Sequence, residues 1–248
     1  MNALRLAISW LTVAPVPGPA KVDRQTAGHA ITVAPVVGIG LGAVAAAGLW
    51  LLVSAGMTTL LAGLLAVGLL ALLTRGMHLD GLADTVDGLG SYGPPQRARE
   101  IMKSGGAGPF GVAALIFAIA IQSVAFATLT EQHRWLAIVL AVAAGRIAVV
   151  LACRGTAAAP GAGFGALVAD TQPRAAVLIW PALAIVAAIW AVPNSPWLGP
   201  VVVLAALALT VAITRHCARR FEGLSGDVLG AVVEITVSVT AAGYSLAF

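Results

Sequence analysis

The residues "MTTLLAGLLAVGLLALLTRGMHLDGLADTVDG" (57–88) decide the fold. Their first half is an apolar run ending at Thr74, and their second half places three aspartates and a histidine within ten positions. A bilayer core about 30 Å thick takes about 20 apolar residues as a helix. The run therefore reads as a membrane span, and the acidic stretch as what lies at the membrane surface beside it.

The rest of the chain repeats the first half of this pattern. Of 248 residues, 60% are hydrophobic and 10% charged, with a mean hydropathy of +0.97, unlike a water-soluble domain. Seven apolar runs fit spans: 33–53, 57–74, 110–130, 135–152, 176–192, 197–214 and 228–248. The alternation of a transmembrane barrel is missing, which leaves helices as the spanning structure. The expected fold is all-α, a polytopic integral-membrane helical bundle of about seven transmembrane helices in one domain, 1–248. At the N-terminus, Arg5, Ser9 and Thr12 recur at helical spacing opposite Leu4, Ala7, Ile8 and Leu11. That pattern suits a helix lying at the interface or dipping into the bilayer, and Pro15, Pro17 and Pro19 end it. Cys153 and Cys217 have no ligand-type spacing and read as packing residues.

Charge sets the expected orientation. Of the 14 Lys and Arg, Arg5 and Arg146 fall within apolar helices and Arg134 in a loop on one side. The other eleven fall in loops 17–32, 75–109, 153–175 and 215–227, on the opposite side. Cytoplasmic loops are enriched in Lys and Arg, so these four are expected to face the cytoplasm from a plasma (inner) membrane. With no basic run anywhere, nucleic acid is not an expected partner. Loop 153–175, rich in Gly and Ala, reads either as a flexible connector or as a lid.

On a helix advancing about 100° per residue, Asp80, Asp84 and Asp87 share one face. Carboxylates so placed repel one another, and a hard cation such as Mg2+, usually held by a few carboxylates plus substrate phosphates, would offset that. Gly81, Gly88 and Gly90, with Ala83, leave little side chain nearby, as if a bulky ligand approached. Arg75 precedes this face, and Lys103 follows it, ahead of the Gly-rich turn "SGGAGPFG" (104–111), which could aim backbone N–H groups at an anion. Asp227 either caps the last span or forms a second acidic locus. Arg146 and Glu234 are charges inside spans; they either line a substrate pocket together or form a structural ion pair.

Four strings carry a resemblance: "PVVGIGLGA" (35–43), "HLDGLADTVDG" (78–88), "REIMKSGGAGPFG" (99–111) and "GLSGDVLGAVVE" (223–234). Together they resemble the cobalamin-5'-phosphate synthase family, the adenosylcobinamide-GDP ribazoletransferases, of the actinobacterial type. The resemblance implies a Mg2+-dependent membrane enzyme at the last assembly step of the cobalamin nucleotide loop. GDP-activated cobinamide would be joined to α-ribazole or its 5'-phosphate, with GMP released, at the inner face of the membrane. On this reading Asp84 and His78 are catalytic, Asp80, Asp84, Asp87 and Asp227 hold the metal, and Arg75, Lys103, Arg146 and Glu234 contact substrate. His78 would take the proton of the ribazole hydroxyl or orient another group. The family's turn after "IMK" often carries Asp and, in many members, Arg, whereas Ser104, Gly105 and Gly106 stand here, so the resemblance implies no metal or phosphate role for that turn and leaves its role open. Two alternatives are a CDP-alcohol phosphotransferase, whose final spaced aspartates the chain lacks, and a small transporter, whose internal repeat it lacks. Membrane lipid is the remaining expected partner, and the oligomeric state, a homo-oligomer included, stays open.

Overall fold

The computed structural model describes residues 2–19 and 21–246, and the last two positions of the run 228–248 lie outside them. The described residues form twelve helices. Two short ones come first, α1 (Asn2–Leu11) and α2 (Arg24–Thr32), then α3 (Ala34–Ser54), α4 (Thr59–Leu73), α5 (Met77–Gly90) and α6 (Pro95–Met102). The second half holds α7 (Pro109–Glu131), α8 (Trp135–Ala152), α9 (Phe164–Val168), α10 (Arg174–Ala188), α11 (Leu198–Phe221) and α12 (Gly226–Tyr244). Five are long and apolar enough to cross a membrane: α3, α7, α8, α11 and α12, with a sixth if α4 and α5 are counted as one bent span. The all-α membrane bundle is therefore the fold. Each of the seven apolar runs has its helix, but α4 and α10 hold only 15 residues each.

The chain turns 92° between α4 and α5. Arg75 and Gly76 produce the turn by taking left-handed backbone conformations in succession, with φ of 58° and 67°. As a result α5 leaves the direction of α4 and packs across the opening turns of α7 and α12, Leu82 reaching Ala118 and Ala231.

Helices approach closely where small residues meet, as expected when lipid offers no hydrophobic drive between helices. A Cβ at Gly42 of α3 would lie 2.8 Å from Val139 Cα of α8, and one at Gly145 of α8 would meet Val233 and Val237 of α12. Gly63 of α4 sits against the Ser123 carbonyl of α7 in the same way. Cys153 and Cys217 are buried free thiols in this packing. On α1 the expected face packs inward through Ala7, Ile8 and Leu11, joined by Leu6 and Trp10, while Leu4 and Arg5 are exposed.

The four basic loops gather at one end. Arg99 pairs with Glu222, the Arg220 guanidinium donates to the Ser91 carbonyl (2.9 Å), and the Gln172 amide to that of Gly28 (2.9 Å). Loop 153–175 is pinned there: Ala159 N–H donates to Leu224 O (3.0 Å), and Leu224 N–H to Ala157 O (2.8 Å). Arg24 holds its short helix α9 by donating to the carbonyls of Ala166 and Ala169. The segment is an ordered cover over that end rather than a flexible connector.

Candidate active site

Two glycines build the site. A Cβ on Gly81 of α5 would lie 2.7 Å from the Asp227 carbonyl oxygen, and one on Gly230 of α12 would lie 3.1 Å from that of His78. Bare backbone thus meets bare backbone, and α5 brings its carboxylates to the start of α12, where Ser225 caps the helix and Asp227 occupies the first turn. The expectation that glycines leave room for a ligand is corrected here. Gly81 is filled by α12, Gly88 by Met102 and Phe221, and Gly90 by Phe110.

Asp80, His78, Asp227 and Arg75 line one cavity of about 440 Å³, together with Trp10, Phe164 and several aliphatic side chains. Asp80 is exposed, Asp84 and Asp227 half-buried. Burial, with the charges of Asp80, Asp227 and Asp87, pushes the Asp84 carboxyl up to about 6. Among the described residues the ion pairs are Arg97–Glu100 and Arg99–Glu222, so none of these carboxylates has a cation bound to it. Nor, among the described residues, do three His, Cys, Asp or Glu side chains converge closely enough to enclose a metal by themselves. Mg2+ is usually held by one or two carboxylates completed by water and substrate phosphate, and an open acidic group whose only nearby cation is Lys103, beside Asp227, fits that chemistry.

Asp87 differs from its neighbours. It is buried, and its two carboxylate oxygens accept from Gly108 N–H (2.6 Å) and Gly111 N–H (2.9 Å) at the start of α7. The Gly-rich turn does aim N–H groups at an anion, but the anion is Asp87 itself. Asp87 thus caps α7, a partnership that, among the described residues, Asp80 and Asp84 lack.

The basic candidates disperse. Arg75 donates to the carbonyls of Ser9 (3.1 Å) and Trp10 (2.8 Å), closing the end of α1. Lys103 donates from Nζ to Gly161 O (3.1 Å) and lines, with Asp227, a small recess under the cover. Arg146 and Glu234 do not form an ion pair among the described residues. They line a separate space of about 20 Å³ with Thr74 and Gln122, room for a water and not for a substrate. Gln122 Nε2 donates to Glu234 (2.7 Å) and Ser238 (3.1 Å), and Arg146 Nε is buried without a partner. The direct ion pair is therefore absent among the described residues, and the two charges face one small space beside Gln122. His78 is buried, and desolvation together with the Arg146 charge holds its imidazole well below its ordinary pKa.

Sequence reasoning missed Trp10 and Phe164, which meet edge-on with ring centroids 5.0 Å apart at 73°. They come from α1 and α9, and no local spacing relates them.

The sequence profile described as Cobalamin-5-phosphate synthase matches residues 3–245. An adenosylcobinamide-GDP ribazoletransferase of Frankia casuarinae is 40% identical, the match covering 97% of this chain and 93% of the relative. One of Corynebacterium efficiens is 36% identical over 95% of this chain and 88% of its own, and one of Acinetobacter baumannii is 31% identical over 96% and 95%. No solved structure matches the chain.

Proposed function

The chain belongs to the cobalamin-5-phosphate synthase family, and from that premise we propose that its chemistry takes place in the cavity between α5, α12 and the 153–175 cover. The activity is that of an adenosylcobinamide-GDP ribazoletransferase, the final assembly of the nucleotide loop. GDP-activated cobinamide and α-ribazole, or its 5'-phosphate, are the substrates. The observation that carries the placement is the group Asp80, Asp84 and Asp227, brought together through Gly81 and Gly230 and lacking any ion-paired cation.

One or two of these carboxylates would hold Mg2+, its shell completed by substrate phosphate and water; Asp80 and Asp227 line the cavity, and Asp84 stands beside them close enough to feel both charges. When bound, the metal supplies neutralising charge to the diphosphate and to the departing GMP. The remaining work falls to the chain. The ribazole hydroxyl attacks the cobinamide-side phosphorus, the bond from that phosphorus to the GMP oxygen breaks, and the hydroxyl proton passes to His78. Desolvation and the Arg146 charge keep that imidazole neutral but make it a weak base, so it orients the hydroxyl and hands the proton on to solvent rather than storing it. Lys103, beside Asp227 under the cover, is placed to meet a phosphate. Arg75 holds Trp10 at the cavity wall rather than touching substrate.

Product analysis tests this reading: purified protein given GDP-cobinamide, α-ribazole and Mg2+ should yield the joined product and GMP by mass spectrometry. Unjoined substrates would contradict it. The basic end is assigned to the cytoplasm by its Lys and Arg. Single cysteines at exposed Tyr92 and Asn194 should therefore differ in intact cells, with an impermeant reagent labelling only position 194. Labelling at 92 would invert the orientation.

A further inference from the structure

We propose that the part of the 440 Å³ cavity walled by Trp10 and Phe164 seats the heteroaromatic base of the incoming nucleoside; the proposal rests on the transferase reading and adds which substrate lies where. The lining of the cavity is of two kinds. α5 and the start of α12 bring His78, Asp80 and Asp227 to it, while α1 and the cover bring Trp10, Leu11 and Phe164, with Ile31, Val149 and Leu229 also aliphatic and Arg75 beside Trp10. A volume of this order suits a nucleoside-sized ligand, whereas a corrin macrocycle with its amide arms is far larger.

The aromatic pair is not ordinary core. Phe164 is 36% exposed and Trp10 half-buried, yet the backbone behind each is fixed by an arginine from elsewhere in the chain. Arg75 holds the Ser9 and Trp10 carbonyls, and Arg24 holds α9 through Ala166 and Ala169. Rings held rigidly at a cavity wall and left partly open are suited to stacking a planar ligand, which adds affinity with little ordering cost.

Two heteroaromatic bases enter the reaction, guanine and the benzimidazole of ribazole. Guanine carries donors and acceptors around its edge, and burying them without partners is unfavourable. Around the rings the lining is aliphatic apart from the Trp10 indole N–H and the Arg75 guanidinium, which is already engaged on the Ser9 and Trp10 carbonyls. A benzimidazole with a hydrocarbon edge meets such a wall without loss, and its ribose then extends toward His78.

The test is steady-state kinetics of the full-length enzyme in nanodiscs, varying each substrate in turn. Trp10→Ala and Phe164→Ala should each raise KM for α-ribazole about tenfold, leave KM for GDP-cobinamide within about twofold, and Trp10→Phe should restore most of the loss. A binding arm needs no turnover: Asp84→Asn enzyme should bind radiolabelled α-ribazole, free 5,6-dimethylbenzimidazole should displace it, guanosine should not, and adding Trp10→Ala should weaken binding about tenfold. A KM increase confined to GDP-cobinamide would give the rings to guanine and overturn the proposal. Equal increases for both substrates, or undisturbed α-ribazole binding in the Trp10→Ala double variant, would reduce the pair to a contact between α1 and the cover and overturn it too. Each of these results comes with turnover intact in the wild type, whereas wild-type protein that joins no substrates would sink the transferase reading itself.

Discussion

The two ends of the bundle treat charge in opposite ways. At the end opposite the basic loops, Arg134 donates to the carbonyls of Tyr244 (2.7 Å) and Leu246 (2.9 Å), supplying partners to the close of α12. Glu131 accepts from Thr59 in the same region. Charge there completes backbone and side-chain hydrogen bonding. At the other end Asp80, Asp84 and Asp227 stand together with no cation bound to them, although basic side chains surround them in sequence. Those bases are engaged elsewhere, Arg75 on α1, Arg99 on Glu222 and Arg220 on Ser91. A charge that the chain has satisfied is structure, and a group left unsatisfied marks where something else binds. Asp87 shows that the distinction runs between side chains as well as between ends, since it shares a helix with Asp84 and is fully partnered.

The largest expected effect comes from removing the unsatisfied charge. Asp84→Asn keeps the shape and should lower kcat by about a thousandfold, the scale of losing a preorganised electrostatic group, with the folded protein retained on size-exclusion chromatography. Loss of folding instead would make Asp84 structural. Next in size is the placement of the acidic group. Gly81→Val inserts a side chain where a Cβ alone already comes within 2.7 Å of the Asp227 carbonyl, so α5 and α12 must part. Activity should fall about a hundredfold, the order expected for a misplacement of about 1 Å, and full activity would show that the contact does not position the site.

The opposite end should respond in stability only. Arg134→Met leaves the carbonyls of α12 without their donor and should cost about 1–3 kcal/mol by denaturant titration, with KM for both substrates unchanged; a change in KM would erase the contrast between the ends. The smallest effect is a pH signature. With Asp84 pushed up to about 6 from 3.8, the native state keeps a proton between about pH 4 and pH 6 that the unfolded chain has released. This contribution therefore makes the metal-free protein less stable as pH rises through that window and is level above it. Mg2+ should raise the melting temperature more at about pH 7 than at about pH 5, and an equal rise at both would separate Asp84 from the metal.

Much of this was legible in the sequence, for reasons that also set its limit. Apolar runs announce spans because the bilayer imposes their length, and the spacing of Asp80, Asp84 and Asp87 announces a common face because the helix period is fixed. Spacing does not say what a face meets. The partners of Asp87 lie 21 and 24 positions further on, at Gly108 and Gly111. A signal was present, since a helix opening at Gly108 and Pro109 has no side-chain cap of its own and needs an acceptor from elsewhere. The roles of Gly81 and Gly230 depend on two helices distant in sequence, and the pairing of Trp10 with Phe164 on the course of a cover that has no periodicity. Arg146 and Glu234 were visible as charges inside spans, but the space between them is a matter of packing that residue types do not encode.

The most direct test of the central claim, that Asp84 belongs to an open metal-binding group while its helix neighbour Asp87 is a cap, is the Mg2+ dependence of product formation for wild type, Asp84→Asn and Asp87→Asn in nanodiscs. Asp84→Asn should form product at about a thousandth of the wild-type rate, whatever the Mg2+ concentration. Asp87→Asn should need the same Mg2+ concentration as wild type, while losing about 1 kcal/mol of stability, as for other helix caps. Product from Asp84→Asn at a rate near that of wild type with an unchanged Mg2+ requirement, or a requirement shifted strongly in Asp87→Asn, would contradict the account.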